Sequence, residues 1–183
     1  MTMESTPLEY QTFWRRLGSG LIDAVVFLPI ALLDWWIWAH VSSVAVLVFW
    51  HVLHMNLSLA YSVIGLAVWG QTVGKRVTGI KVLQVSRERL GLKRALLRDS
   101  PWFAIGILGL AADLPKVMAG INPAHAHAKD PGTLGLIVIW GGTAWFVLEL
   151  GTMLLNQKRR AIHDLIAGSV VVRVEAAAPV PSS

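Results

Sequence analysis

The chain has 183 residues, of which 55% are hydrophobic and only 15% charged, with nine tryptophans and a mean hydropathy of +0.58. A soluble domain of this length carries about 25% charge, so the composition points to a chain that meets lipid. Cysteine is absent, which excludes disulfide scaffolds, cysteine-ligated zinc, iron–sulfur clusters and thiol nucleophiles.

Residues 1–11 read as a mobile head. Leu17–Leu33 then forms an apolar run whose only charge is Asp23, preceded by Arg15 and Arg16 and followed by Asp34, Trp35, Trp36 and Trp38. Arg16 to Trp35 covers roughly 28 Å as a helix, close to the hydrocarbon thickness of a bilayer. Arginines at one end and tryptophans at the other are interfacial anchors, so a first span is expected over about 17–38. Acidic residues ahead of the run and the lack of a prompt small-x-small site argue against a cleaved signal. A second span over about 44–69 holds no formal charge, though it contains His51, His54 and Asn56.

A basic stretch follows, carrying eight Lys and Arg from Lys75 to Arg98. Within it, residues 77–85 are rich in β-formers and read as a short strand. Leu92–Arg98 reads as an amphipathic lead into a third span over about 92–112, whose apolar core Pro101–Ala112 is short by itself. Residues 113–132 are polar and rich in turn formers, with Asn122-Pro123 and Asp130-Pro131-Gly132. A fourth span is expected over about 133–156, with Glu149 as its only charge. Ser169–Val174 again reads as a strand, and pairing with 77–85 would satisfy the backbone of both. The tail 176–183 is expected to be disordered.

Of 16 Lys and Arg, 14 fall before span one, between spans two and three, or after span four. The positive-inside rule then places both termini and the central loop in the cytoplasm and requires an even number of crossings. The expected fold is an all-α polytopic membrane protein of the plasma or inner membrane. It has four transmembrane helices, N-in and C-in, with a small cytoplasmic two-stranded β element (about 77–85 with 169–174), all in one domain over 12–175. The basic loop reads as facing anionic lipid headgroups, at about 1 kcal/mol for each cation near the surface, rather than as a nucleic-acid site.

Three segments carry a resemblance. Arg15-Arg16-Leu17-Gly18-Ser19-Gly20-Leu21-Ile22-Asp23 opens the first span, and Gly70-Gln71-Thr72-Val73-Gly74-Lys75-Arg76-Val77-Thr78-Gly79-Ile80-Lys81-Val82 follows the second. Arg160-Ala161-Ile162-His163-Asp164-Leu165-Ile166-Ala167-Gly168-Ser169-Val170-Val171-Val172 closes the chain. In this order, over roughly residues 12–174, they resemble the RDD family of membrane proteins, named for one arginine and two aspartates. Arg16 and Asp23 match its first-helix pattern and Asp164 its C-terminal motif. The stretch 112–132 departs from that pattern by being longer and more polar. The resemblance implies a membrane protein of a mostly uncharacterised family, for which transport has been suggested and sodium–proton exchange proposed in some members.

The charges admit three readings. Arg16 is expected to snorkel to the interface and meet Asp164. Asp23 and Glu149 lie at similar depths, about 10 and 12 Å from the cytoplasmic ends of their helices. Together with Tyr61 and Ser62 they compose a candidate proton or cation site, because buried acids mark ion pathways and oxygen ligands suit hard cations. The competing reading of the same acids is interhelical glue. In the second reading the protein is a structural or accessory membrane component that binds a partner through its cytoplasmic face or forms a homo-oligomer; Gly18, Ser19, Gly20, Gly141 and Gly142 offer small surfaces for close helix contact, which packing inside one protomer explains equally well. The third takes His51 and His54, with His125 and His127, as metal or haem ligands, but no metal-binding motif surrounds them, and the competing reading of the pair in span two is hydrogen-bonded interior polar groups. Gly70–Arg76 departs from a phosphate loop in spacing and lacks its Ser or Thr. There is no nucleophile near His163-Asp164 at a diagnostic spacing, no HExxH and no dinucleotide fingerprint, so neither enzymatic activity nor a cofactor is expected.

Overall fold

The computed structural model describes residues 7–174 apart from 124 and 126–128. Four long helices carry the apolar runs: α1 (Phe13–His40), α2 (Val44–Val68), α4 (Gly91–Met118) and α5 (Gly132–Leu155). Between them lie a five-residue helix α3 (Val73–Val77) and strand β1 (Ile80–Gln84), and the chain closes with α6 (Ile162–Ala167) and β2 (Ser169–Arg173). All four long helices have the length and apolarity to cross a membrane. The shortest, at 24 residues, is roughly 36 Å long, enough for a hydrocarbon core of about 30 Å.

Their outward faces are apolar. Leu21, Phe49, Trp140 and Val147 are each at least 60% exposed. Water would penalise such surfaces and lipid does not; this is a multi-pass membrane protein.

The third span differs from expectation: its helix runs to Met118 rather than ending near 112. The charge at Asp113 is met across the bundle, where its Oδ2 lies 3.4 Å from His51 Nε2 on α2. Val117 is fully buried in a cluster with Ile37 and Leu47, which holds the extra turns in the bundle. Pro101 and Pro115 both sit inside this helix. Proline at 101 deprives the Leu97 carbonyl of its usual partner, and Ser100 Oγ donates to that carbonyl instead, at 2.8 Å.

Strand β1 is shorter than the expected 77–85. Val77 belongs to α3, and Gly79, at φ +65° in the left-handed region, separates helix from strand. β1 pairs antiparallel with β2, Ile80 opposite Arg173 and Gln84 opposite Ser169. Two strands alone are marginal. Here Ile80, Val82 and Val171 are fully buried against Val63, Leu66, Leu90 and Ala95, while Val170 and Val172 pack on Tyr10. Tyr10 ends a 3-10 turn at Pro7–Tyr10, so this portion of the expected mobile head is packed. The head before residue 7 and the expected disordered tail 176–183 lie outside the described residues.

α2 packs chiefly on α4. α1 packs on α2 and α3, and α5 packs on α4 and α6. The long helices therefore form an arc whose two ends, α1 and α5, are not each other's main neighbours.

Candidate functional site

The polar side chains gather at the end of the bundle that carries the sheet, around two aspartates. The first is Asp23, in the middle of α1. Its Oδ1 accepts from Tyr61 Oη at 2.6 Å and from Gly74 N at 2.8 Å, and its Oδ2 accepts from Thr72 Oγ1 at 2.7 Å. Tyr61 Oη in turn accepts from Val73 N at 2.8 Å. Two amides at the start of α3 that have no intrahelical partner are thus satisfied from α1 and α2. The fit is tight: a Cβ at Gly74 would collide with the Ser19 carbonyl oxygen and lie 2.8 Å from the Asp23 carboxyl carbon. Asp23 is a clasp holding α3 on α1.

The second is Asp164, fully buried in α6. Oδ2 accepts from Arg16 Nη1 at 2.6 Å and from Ala161 N at 3.2 Å; Oδ1 accepts from Arg98 Nε at 3.1 Å and from Ser169 Oγ at 2.9 Å. Four donors on one carboxylate bind α1, α4, α6 and β2 together. Burial by itself would raise this carboxyl's pKa. The charges of Arg16 and Arg98 outweigh it, with the Arg16 hydrogen bond, and hold the group well below the usual carboxylate range.

The network continues to α5. Arg98 Nη2 lies 2.6 Å from His163 Nε2, and His163 Nδ1 meets Glu149 Oε1. Guanidinium can only donate. His163 therefore accepts on Nε2, carries its hydrogen on Nδ1 and donates it to Glu149, whose Oε1 also receives Trp145 Nε1 at 2.8 Å.

Two cavities flank this network. One, of about 490 Å³, is bordered by His54, Asn56, Ser62, Asp99 and Trp102; the other, of about 430 Å³, by Arg16, Lys75, Arg98, Trp102, Glu149 and His163. Trp102 borders both. Asp99 faces the first and its chain neighbour Arg98 the second, with Arg98 Nη1 3.8 Å from Asp99 Oδ1. Asp99 is 8% exposed, and its Oδ2 is buried without a hydrogen-bond partner. Lys75, in α3, is partly accessible but closely ringed by protein. Burial and the nearby Arg98 charge lower its pKa to about 8, against the pull of Asp23 and Asp99.

The structure does not bring together the acids that matched depth suggested. Glu149 belongs to the Asp164 network and Asp23 to the α3 clasp, with Tyr61 on Asp23 and Ser62 on the wall of the first cavity. The histidines divide likewise. His51 faces Asp113. His54 Nδ1 lies 3.7 Å from Asp34 Oδ1, and its ring stacks on Trp50, which donates to the same carboxylate at 2.8 Å. His125 is exposed and His127 lies outside the described residues. Among the described residues no group of three or more His, Asp or Glu is arranged to hold a metal ion. Arg98, Asp99, Lys75 and Thr72 were not singled out by sequence. The adjacent opposite charges Arg98-Asp99, leading straight into an apolar run, are the signal by which two of them could have been found.

A model described as the RDD family matches residues 10–168. No curated protein and no solved structure matches the chain.

Proposed function

The chain belongs to the RDD family, and from that premise we propose that it passes protons, or a small cation in exchange for them, across a plasma or inner membrane, with the sheet end and both termini cytoplasmic. The observation that carries the reading is the Arg98–Asp99 pair. It stands in the wall between two cavities, with one carboxylate oxygen buried and unbonded. An ionisable group inside a span that lacks a full set of partners is a candidate step on an ion pathway.

The order of groups supports a route. From the far end, the Asp34–His54 pair adjoins the first cavity, which reaches Asp99. Arg98 and Trp102 separate it from the second cavity, where the His163–Glu149 relay faces the sheet end. Asp23 is left outside this route, because three neutral donors already occupy its carboxylate.

Proteoliposomes containing a pH-sensitive dye test the proposal under an imposed potential, with and without sodium. Asp99→Asn is expected to lower the flux at least ten-fold relative to the wild type. Equal flux in the two proteins refutes the route through Asp99, and no flux in the wild type refutes transport. A second reading, an accessory membrane component, is favoured by Gly141 and Gly142 on α5, where an added Cβ would meet nothing within 4 Å. A partner that co-purifies in stoichiometric amount, with flux absent, would select it.

A further inference from the structure

The second cavity has an asymmetric wall. Of the groups that line it, Arg16, Lys75 and Arg98 are cationic and Glu149 is the one acid. The donors are not fully used. Arg16 Nη2 is buried without a partner, and Lys75 Nζ has a single long contact, 3.4 Å to Thr72 Oγ1. The acceptors behind them are committed: Asp164 holds four donors, Asp23 holds three, and Glu149 Oε1 holds two. Even with Glu149 Oε2 left as an acceptor, three cations face one acid here, so donor capacity is in excess, and an anion satisfies it.

The rest of the wall is apolar and opens sideways. Leu17 and Leu21 of α1 face Phe146 and Leu150 of α5 across the slot, and Leu17, Leu21 and Phe146 are 46%, 65% and 49% exposed. Because α1 packs on α2 and α3 while α5 packs on α4 and α6, the slot runs between the ends of the arc and faces the bilayer. Leu17 and Leu21 lie roughly 1.5 and 7.5 Å below Arg16 along the helix, so the hydrocarbon wall starts at the level of the cations and runs more than a turn beneath them. A phospholipid has the same layout, with its phosphate at the interface and its chains below.

We propose that the slot between α1 and α5 is a binding site for one anionic phospholipid, its phosphate held by Arg16 Nη2 and Lys75 and an acyl chain lying against Leu17, Leu21, Phe146 and Leu150. The slot is the same second cavity that the proton route enters, but the lipid site rests on the slot's own charge and apolar wall, is tested by binding alone, and is separate from any loose attraction of headgroups to the basic loop.

Native mass spectrometry of the detergent-purified full chain tests it, with phosphatidylglycerol, phosphatidylcholine and inorganic phosphate as probes. One phosphatidylglycerol per protomer is expected to be retained, at least ten-fold more tightly than phosphatidylcholine, with no retention of inorganic phosphate. Lys75→Gln is expected to weaken phosphatidylglycerol about ten-fold and Lys75→Arg to preserve it. Gly20→Leu, at a lining position where an added Cβ meets nothing within 4 Å, fills the slot without touching a charge and is expected to weaken binding as well. Equal retention of the two lipids overturns the proposal, as does undiminished binding by both Lys75→Gln and Gly20→Leu. Competition by inorganic phosphate at equal affinity overturns the lipid as the source of the anion. Flux through Asp99 has no bearing on any of these outcomes.

Discussion

Replacing Asp164 with asparagine removes one charge from the centre of the sheet-end network and changes the volume very little. Arg16 and Arg98, with side chains 11% and 8% exposed, are then left as buried cations without their carboxylate. The new amide also presents donors toward a shell made of donors. Breaking a buried pair from one side costs about 3–5 kcal/mol. For a chain of this size each kcal/mol shifts the melting temperature by roughly 2–4 °C, so the drop is expected to be roughly 6–20 °C. Melting followed by tryptophan fluorescence in one detergent is a sufficient assay. Glu9→Gln is the control: its partner Arg87 has a side chain 45% exposed, and such a surface pair is worth under about 1 kcal/mol.

The same carboxylate fixes a pH signature. Its folded pKa lies below its unfolded value near 3.8, so its stabilisation is complete above about pH 5 and is lost progressively as pH falls from there toward the folded value. Wild type is expected to lose nothing through this group between pH 7 and about pH 5. A fall of less than 2 °C for Asp164→Asn would refute the view that this carboxylate holds the four elements together.

Three further outcomes are expected. Gly74→Ala drives a methyl into the Ser19 carbonyl oxygen and should cost about 1–3 kcal/mol through forced backbone displacement, read as a lower melting temperature. Tyr61→Phe removes one donor to Asp23 and the acceptor of Val73 N, a loss of about 1–3 kcal/mol; a melt indistinguishable from wild type would deny the clasp its role. Reductive methylation with ¹³C and NMR titration should show Lys75 changing charge near pH 8. Its folded pKa is below the unfolded 10.5, so the unfolded chain binds more protons between pH 8 and 10.5, and stability rises with pH across that window.

How far the sequence carries varies by element. The four spans were legible because lipid imposes a length and a polarity that a linear scan can read. The strands were legible from their β-formers and from the need of each for a partner. α3 was not: five residues, VGKRV, have no helical signal of their own, and they form a helix because Asp23 and Tyr61 on two other helices satisfy their amides. Asp23 and Glu149 show the other limit. A residue's position along a helix gives its depth, but not which neighbour it faces. With α1 and α5 at opposite ends of the arc, two acids at matched depth enter different networks. Asp113 was read as the edge of a loop because a linear scan counts a charge without knowing that His51 waits across the bundle.

The pairing of β1 with β2 has a consequence for biosynthesis. Gln84 and Ser169 are register partners 85 positions apart, with α4, α5 and α6 translated between them, and Asp164 is made only a few residues before β2. While the ribosome is still producing α5, β1 has an open edge and Arg16 and Arg98 have no anion between them. Those are features that favour misassembly and recognition by quality control. The sheet end closes only when Asp164 and β2 emerge, and a nascent chain that stops before Asp164 lacks both locks at once.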